Sequence, residues 1–226
     1  MGSGRQLPLE LPHEPSFARE DFLPAPANAE ALRAIDSWPA WAGRMLLLVG
    51  PAGSGKSHLG AIWARAAAAS VIAADTLEEG GLAALADAKA ILIEDADRIG
   101  GGESALFHLI NLARESSAFL LLTARSPPDA WGLKKADLLS RLRLAPTVKL
   151  GEPDMELARA VLFKLFSDRQ LAVDPAVINY IALRIERSLG AARRIVDALD
   201  REALARRKPV TRAMAAAMFK DAEGED

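Results

Sequence analysis

The chain has 226 residues, a formal net charge of −2 and 50% apolar residues. It is long enough to bury a sizeable core in one large or two small domains, and it is not drawn to nucleic acid by bulk charge. With no cysteine it has neither a disulfide framework nor a thiolate metal site, and His13, His58 and His108 are too scattered to suggest a metal cluster. No apolar run reaches the length of a membrane-crossing helix, and the first residues lack the charged-then-apolar pattern of a secretory leader, so a cytoplasmic α/β protein is expected.

Residues 1–20 are rich in proline and lack helical periodicity, and they read as an extended arm. Within it, Gln6-Leu7-Pro8-Leu9-Glu10-Leu11 alternates leucine with other residues. In an extended chain this turns Leu7, Leu9 and Leu11 to one side, suited to an apolar pocket, while Gln6 is free to hydrogen-bond the rim. Pro8 and Pro12 stiffen the segment. A helix is expected from Asn28, as N-cap, to about Asp36. Strands then alternate with helices. Met45–Val49 is the first strand, with a helix from Lys56 to about Ala69. Ser70–Ala73 is the second, and Ala90–Glu94 and Ala118–Thr123 follow, separated by a helix from about Glu103 to Ser116. Thr147–Leu150 is the last. This alternation predicts a doubly wound parallel sheet. After Gly151 strand signals cease, and helices are expected over about Asp154–Arg169, Pro175–Arg187, Gly190–Arg206 and Thr211–Phe219. The division expected is an arm (1–20), a nucleotide-binding base (21–151), a helical lid (152–221) and an acidic tail (222–226).

Gly50-Pro51-Ala52-Gly53-Ser54-Gly55-Lys56-Ser57 is the G-x-x-x-x-G-K-[ST] phosphate-binding pattern, set between an apolar strand and the alanine-rich helical stretch that continues from His58. Glycines let successive N–H groups turn inward on a phosphate, Lys56 reaches the β/γ-phosphates, and Ser57 offers its hydroxyl to Mg²⁺. The chain is expected to bind ADP or ATP with Mg²⁺. Ile91-Leu92-Ile93-Glu94-Asp95 ends an apolar strand in two carboxylates, one for the metal side (Glu94) and one to orient water (Asp95). The order is inverted relative to the usual Asp-Glu. Because a misplacement of about 1 Å costs on the order of 100-fold in rate, slow intrinsic hydrolysis is expected. Thr123, ending the fourth strand, is the candidate polar residue facing the γ-phosphate. Arg141, in Leu138-Leu139-Ser140-Arg141-Leu142, falls at the end of a helix just before the last strand, on the outer rim. Arg193 either pairs with Asp197 on the helix surface or points across a cleft to the nucleotide. Arg184, Arg187 and Arg206-Arg207-Lys208 read as solvated faces.

Together these segments, from about Phe22 to Phe219, resemble the AAA+ ATPases and, within them, the DnaA/Hda group of replication proteins. The resemblance implies a sheet of order 5-1-4-3-2 with an α-helical lid. It gives Arg193 the sensor-two role, makes Arg141 an arginine finger offered in trans, and sets Arg125 where many relatives carry Asn or Asp. The chain ends soon after the lid, so the origin-reading helix-turn-helix domain of the initiators is not expected. Residues Gln6, Leu7, Pro8, Leu9 and Leu11 look like the bacterial sliding-clamp-binding peptide. The partners so implied are the β-subunit clamp of DNA polymerase III, the DnaA initiator and, through the clamp, DNA, with a homodimer as a further option. The activity implied is that of the group's regulatory inactivators, which promote hydrolysis of DnaA-bound ATP and act in the ADP form. Two other readings stand beside it: a DnaA-like assembly or DNA-binding module, and a small-molecule P-loop kinase.

Overall fold

The structure, a computed structural model, describes residues 17–186 and 188–223. The clamp-like peptide at Gln6–Leu11 and the last three residues of the acidic tail lie outside the described residues.

The apolar runs become β1 (Met45–Val49), β2 (Ser70–Ala73), β3 (Ala90–Glu94), β4 (Phe119–Ala124) and β5 (Thr147–Lys149). They form one sheet in the order β2-β3-β4-β1-β5, with every pair parallel. This is the expected 5-1-4-3-2 order read from the other edge. The central strands are unbroken Leu/Ile runs because helices cover both faces, and alternate side chains serve opposite cores. On β1, Leu46 and Leu48 pack with Leu32 and Ile35 of α1 (Ala29–Asp36) and Leu59 and Trp63 of α2 (Lys56–Ala67). Leu47 and Val49 pack on the other side with Leu106 and Leu109 of α3 (Glu103–Glu115) and Leu138 and Leu142 of α4 (Ala136–Arg143). Each such side chain contributes about 1.5–3 kcal/mol, whereas an exposed ion pair contributes about 0–1 kcal/mol, so burial holds the sheet.

Beyond β5 the described chain is helical: α5 (Met155–Asp168), α6 (Pro175–Ala182), α7 (Leu189–Arg206) and α8 (Arg212–Glu223). These helices share a separate core of Leu162, Phe166, Ile178, Ile181, Val196 and Leu199. Their starts follow ordinary capping rules. The Asp154 carboxylate accepts the Leu157 N–H at 2.7 Å, Asp174 accepts that of Ala176 at 2.7 Å ahead of Pro175, and Ser188 Oγ accepts that of Ala191 at 3.0 Å.

Several sequence expectations need correction. Asn28 precedes α1 but its side chain does not cap it. Oδ1 accepts the Ala25 N–H at 2.8 Å and Nδ2 donates to the Leu23 carbonyl at 3.0 Å, so this buried amide satisfies the proline-rich turn before the helix. The helix expected to reach Ala69 ends at Ala67, with Ala68 in the left-handed region at φ 48°. β4 runs one residue later than expected, and β5 one residue shorter. The lid helix expected to run to Arg187 ends at Ala182, leaving the chain to turn so that Ser188 can cap α7. The last helix runs past Phe219 to Glu223.

Candidate functional site

The phosphate-binding sequence Gly50–Ser57 connects β1 to α2. Gly53 and Gly55 take φ of 71° and 103°, values open to glycine and strained for L side chains. Lys56 is buried, and its Nζ donates to the carbonyls of Gly50 and Pro51 at 2.8 Å each. Burial lowers its pKa, partly offset by the charges of Asp95 and Asp97, with Arg125 lowering it further. Ser57 lies in the first turn of α2, near enough to the Glu94 carboxylate to act on its pKa. Burial pushes that carboxylate's pKa up, the Ser57 side chain pulls it down, and the neighbouring Asp95 charge raises it again.

Asp95 follows β3 in the left-handed region, at φ 50°. Its N–H donates to Thr123 Oγ1 at 3.1 Å, and its carboxylate lies 3.8 Å from the Arg98 guanidinium. Thr123, 1% exposed, thus ties the end of β4 to the end of β3; it does not line the cleft beside the phosphate loop. The register that sets Val49 against Ala124 brings Arg125 beside Gly50, and the Arg125 N–H is held by Asp97 Oδ1 at 3.0 Å.

The lid meets this loop directly. The Leu189 N–H donates to the Gly53 carbonyl at 2.8 Å. A Cβ added at Gly53 would stand 2.5 Å from the Ser188 side chain. One turn into α7, the Arg193 guanidinium lies over the Phe17 ring, 5.4 Å from its centroid. The alternative partner Asp197 is taken by Arg169, so the helical pair that Arg193 was weighed against does not form. A cleft results, lined by Gly53, Gly55, Lys56, Ser57, Asp95, Arg125 and Arg193 among others.

A neighbouring pocket shares His58, Leu189 and Arg193 with it and continues between Phe22, Asn28 and the α5 residues Leu157 and Val161. Asn28 thus borders the candidate ligand site, though its amide is committed to the turn. His58 Nε2 lies 3.1 Å from the Ala18 carbonyl, and burial lowers its pKa, with the Ala18 bond opposing. An ion pair between Lys164 and Asp21, 2.6 Å, joins α5 to the N-terminal segment. Phe17, Leu189 and this ion pair carried no local sequence signal, because they meet the loop only through the fold. Arg125 adjoins a motif and was legible as a departure, but its place in the cleft was not.

Arg141 does not line either cavity. Its guanidinium lies over Phe107 of α3, 4.8 Å from the ring centroid. The loop leading to α4 is pinned by Glu103, whose carboxylate accepts the N–H groups of Lys134 and Lys135 at 3.0 and 2.9 Å. Beyond Arg141, Leu144 is 82% exposed. Among the described residues no cluster of three or more His, Cys, Asp or Glu side chains could hold a metal ion, and no helix is long and apolar enough to cross a membrane.

No protein-family model matches the chain. Among curated proteins it is similar to the chromosomal replication initiator DnaA of Symbiobacterium thermophilum, 28% identical over 113 residues, which is 47% of this chain and 25% of that protein. It is also similar to DnaA of Herpetosiphon aurantiacus, 28% identical over 134 residues, 58% of this chain and 28% of that protein. The match thus spans about a quarter of the length of these relatives. Among solved structures it resembles domain III of Thermotoga maritima DnaA, with a TM-score of 0.80 and 22% identity over 92% of this chain and 97% of that one. It also resembles a DnaA bound to AMPPCP and single-stranded DNA, with a TM-score of 0.71 and 16% identity over 85% of this chain and 68% of that one. The chain therefore has the fold of DnaA domain III and is similar in sequence to the initiators over the matched residues.

Proposed function

We propose that this chain is a nucleotide-controlled regulator of the Hda type, tethered to the sliding clamp through residues 6–11, which stimulates hydrolysis of DnaA-bound ATP and so limits initiation of replication. The observation that carries the reading is a division of labour: Lys56, Ser57, Glu94 and Arg193 gather around the phosphate loop, while Arg141 stands outside that cleft beside an exposed Leu144.

The residues fit an adenine nucleotide with Mg²⁺. Positive-φ glycines leave the loop backbone open to a phosphate, and α2 starts at Lys56, so its N-terminal N–H groups face the same place. Mg²⁺ usually takes one or two protein oxygens and completes its shell with phosphate and water, which suits the Ser57–Glu94 pair. When bound, the ion would neutralise charge developing on the phosphates. On the protein side, Lys56 would exchange the carbonyls of Gly50 and Pro51 for phosphate oxygens, and Arg193 would reach the nucleotide from the lid. The left-handed turn at Asp95, with its N–H bonded to Thr123, sets a short carboxylate after Glu94, so the chain's own hydrolysis should be slow. Arg141 would serve DnaA's nucleotide, where an arginine supplied in trans is worth about 10³–10⁵ in rate.

The test is reconstituted, with DnaA charged with labelled ATP, clamp loaded on DNA, and this chain as wild type, Arg141→Ala or Gln6→Ala/Leu7→Ala. Hydrolysis of the DnaA-bound ATP should fall in both variants, and clamp binding only in the second. Undiminished stimulation by Arg141→Ala would remove the finger assignment.

A second reading, a DnaA-like DNA-binding module, is favoured by the likeness to DnaA domain III over nearly the whole described chain. It predicts salt-dependent binding to single-stranded DNA without clamp, and that outcome together with no clamp binding would replace the first reading.

A further inference from the structure

The N-terminal segment reaches the nucleotide cleft as well as leading into the fold. Phe17 lines the cleft together with Lys56, His58 and Arg193. Its ring carries the Arg193 guanidinium at 5.4 Å and meets the His58 ring edge-on at 5.4 Å. The next residue, Ala18, holds His58 Nε2 at 3.1 Å, and His58 also packs edge-on against Phe22 at 5.3 Å. One short segment thus touches the lid through Arg193 and the first turn of α2 through His58.

Arg193 has no carboxylate partner among the described residues, since Asp197 is held by Arg169. Resting over an aromatic face, a guanidinium is steadied without using its N–H donors, which lie in its own plane and stay free for an anion. A carboxylate partner would steady it but consume those donors. We propose that Phe17 is a positioning residue for nucleotide binding: it holds the Arg193 guanidinium at the mouth of the phosphate cleft, ready to meet a di- or triphosphate. The proposal rests on the nucleotide-binding reading above. It makes the N-terminal segment part of the ligand site, with Phe17 acting only through Arg193.

Calorimetric titration of the full chain with Mg-ADP tests this in a double-mutant cycle of wild type, Phe17→Ala, Arg193→Ala and the double variant, with Phe17→Tyr as the conservative control. A cation–π contact at a half-exposed site supports a loss of about fivefold in affinity for Phe17→Ala. The same change in the Arg193→Ala background should cost less than about twofold, because the group it positions is gone. Phe17→Tyr should bind within about twofold of wild type. Equal losses in both backgrounds, or no loss in Phe17→Ala, would overturn the proposal. Failure of the underlying reading looks different: wild type would not bind Mg-ADP, or Lys56→Ala would bind it as well as wild type does. Phe17 is 38% exposed, and matching thermal unfolding of Phe17→Ala and wild type without nucleotide will exclude loss of fold.

Discussion

Lys56 is a buried cation whose burial lowers its pKa and whose hydrogen bonds are all to the loop it grows from. Charge-assisted bonds to phosphate would replace them, so Lys56→Ala should weaken Mg-ADP binding by about 10–100-fold, read by titration. Glu94 is its counterpart of opposite sign. Its pKa is raised in the folded chain, so the unfolded chain ionises more readily and the buried anion destabilises the fold at neutral pH; acidification through the raised value relieves this. Glu94→Gln should therefore raise the melting temperature of the nucleotide-free protein while shrinking the stabilisation that added Mg-ATP confers. His58 has the reverse dependence. Its folded pKa lies below that of the unfolded chain, about 6.5, so stability is kept above that pH and lost as pH falls through the lowered value. Melting temperature should drop on acidification from about pH 6.5, and more shallowly in His58→Gln.

At the scale of elements, the contact between the α7 N-terminus and the phosphate loop sets how closely lid and base approach. A Cβ at Gly53 strikes Ser188, and φ there is 71°. Gly53→Ala should accordingly weaken nucleotide binding, and Ser188→Gly in the same chain should restore part of it by removing the struck side chain while the φ strain remains. The strands and the loop were legible in the sequence because their signals are local: Leu46–Val49 alternates between two cores, and G-P-A-G-S-G-K-S must follow a strand and open a helix. The helix caps at Asp154, Asp174 and Ser188 follow the same local logic, although only the helices themselves were anticipated. What the sequence withheld is decided at long range. Asn28 looks like an N-cap until the turn at Leu23–Ala27 claims its amide. Arg193 and Asp197 look like a helical pair until Arg169, from another helix, takes the acid. Phe17 carries no motif at all, and only the packed fold brings it to Arg193.

Taken as a whole, the molecule has two apolar clusters on the faces of the sheet and a third inside the α5–α8 bundle. A bundle with its own core is able to melt or shift apart from the sheet. Calorimetric scans should broaden or split without nucleotide and sharpen toward one transition with saturating Mg-ADP, because a nucleotide held by both Lys56 and Arg193 would span both parts. The N-terminal segment adds a second link through Lys164 and Asp21. If residues 6–11 hold the clamp, thermodynamic reciprocity requires that any factor by which clamp changes ADP affinity be the factor by which ADP changes clamp affinity.

α7 deserves its length of 18 residues. At 1.5 Å per residue it extends about 27 Å, with its first residue bonded to the Gly53 carbonyl and its far end at Arg206. It is a lever whose fulcrum sits on the phosphate loop. A pivot of about 10° there would swing the far end by about 5 Å. The presence or absence of a single phosphate could thus be broadcast as a displacement large enough for another protein to feel.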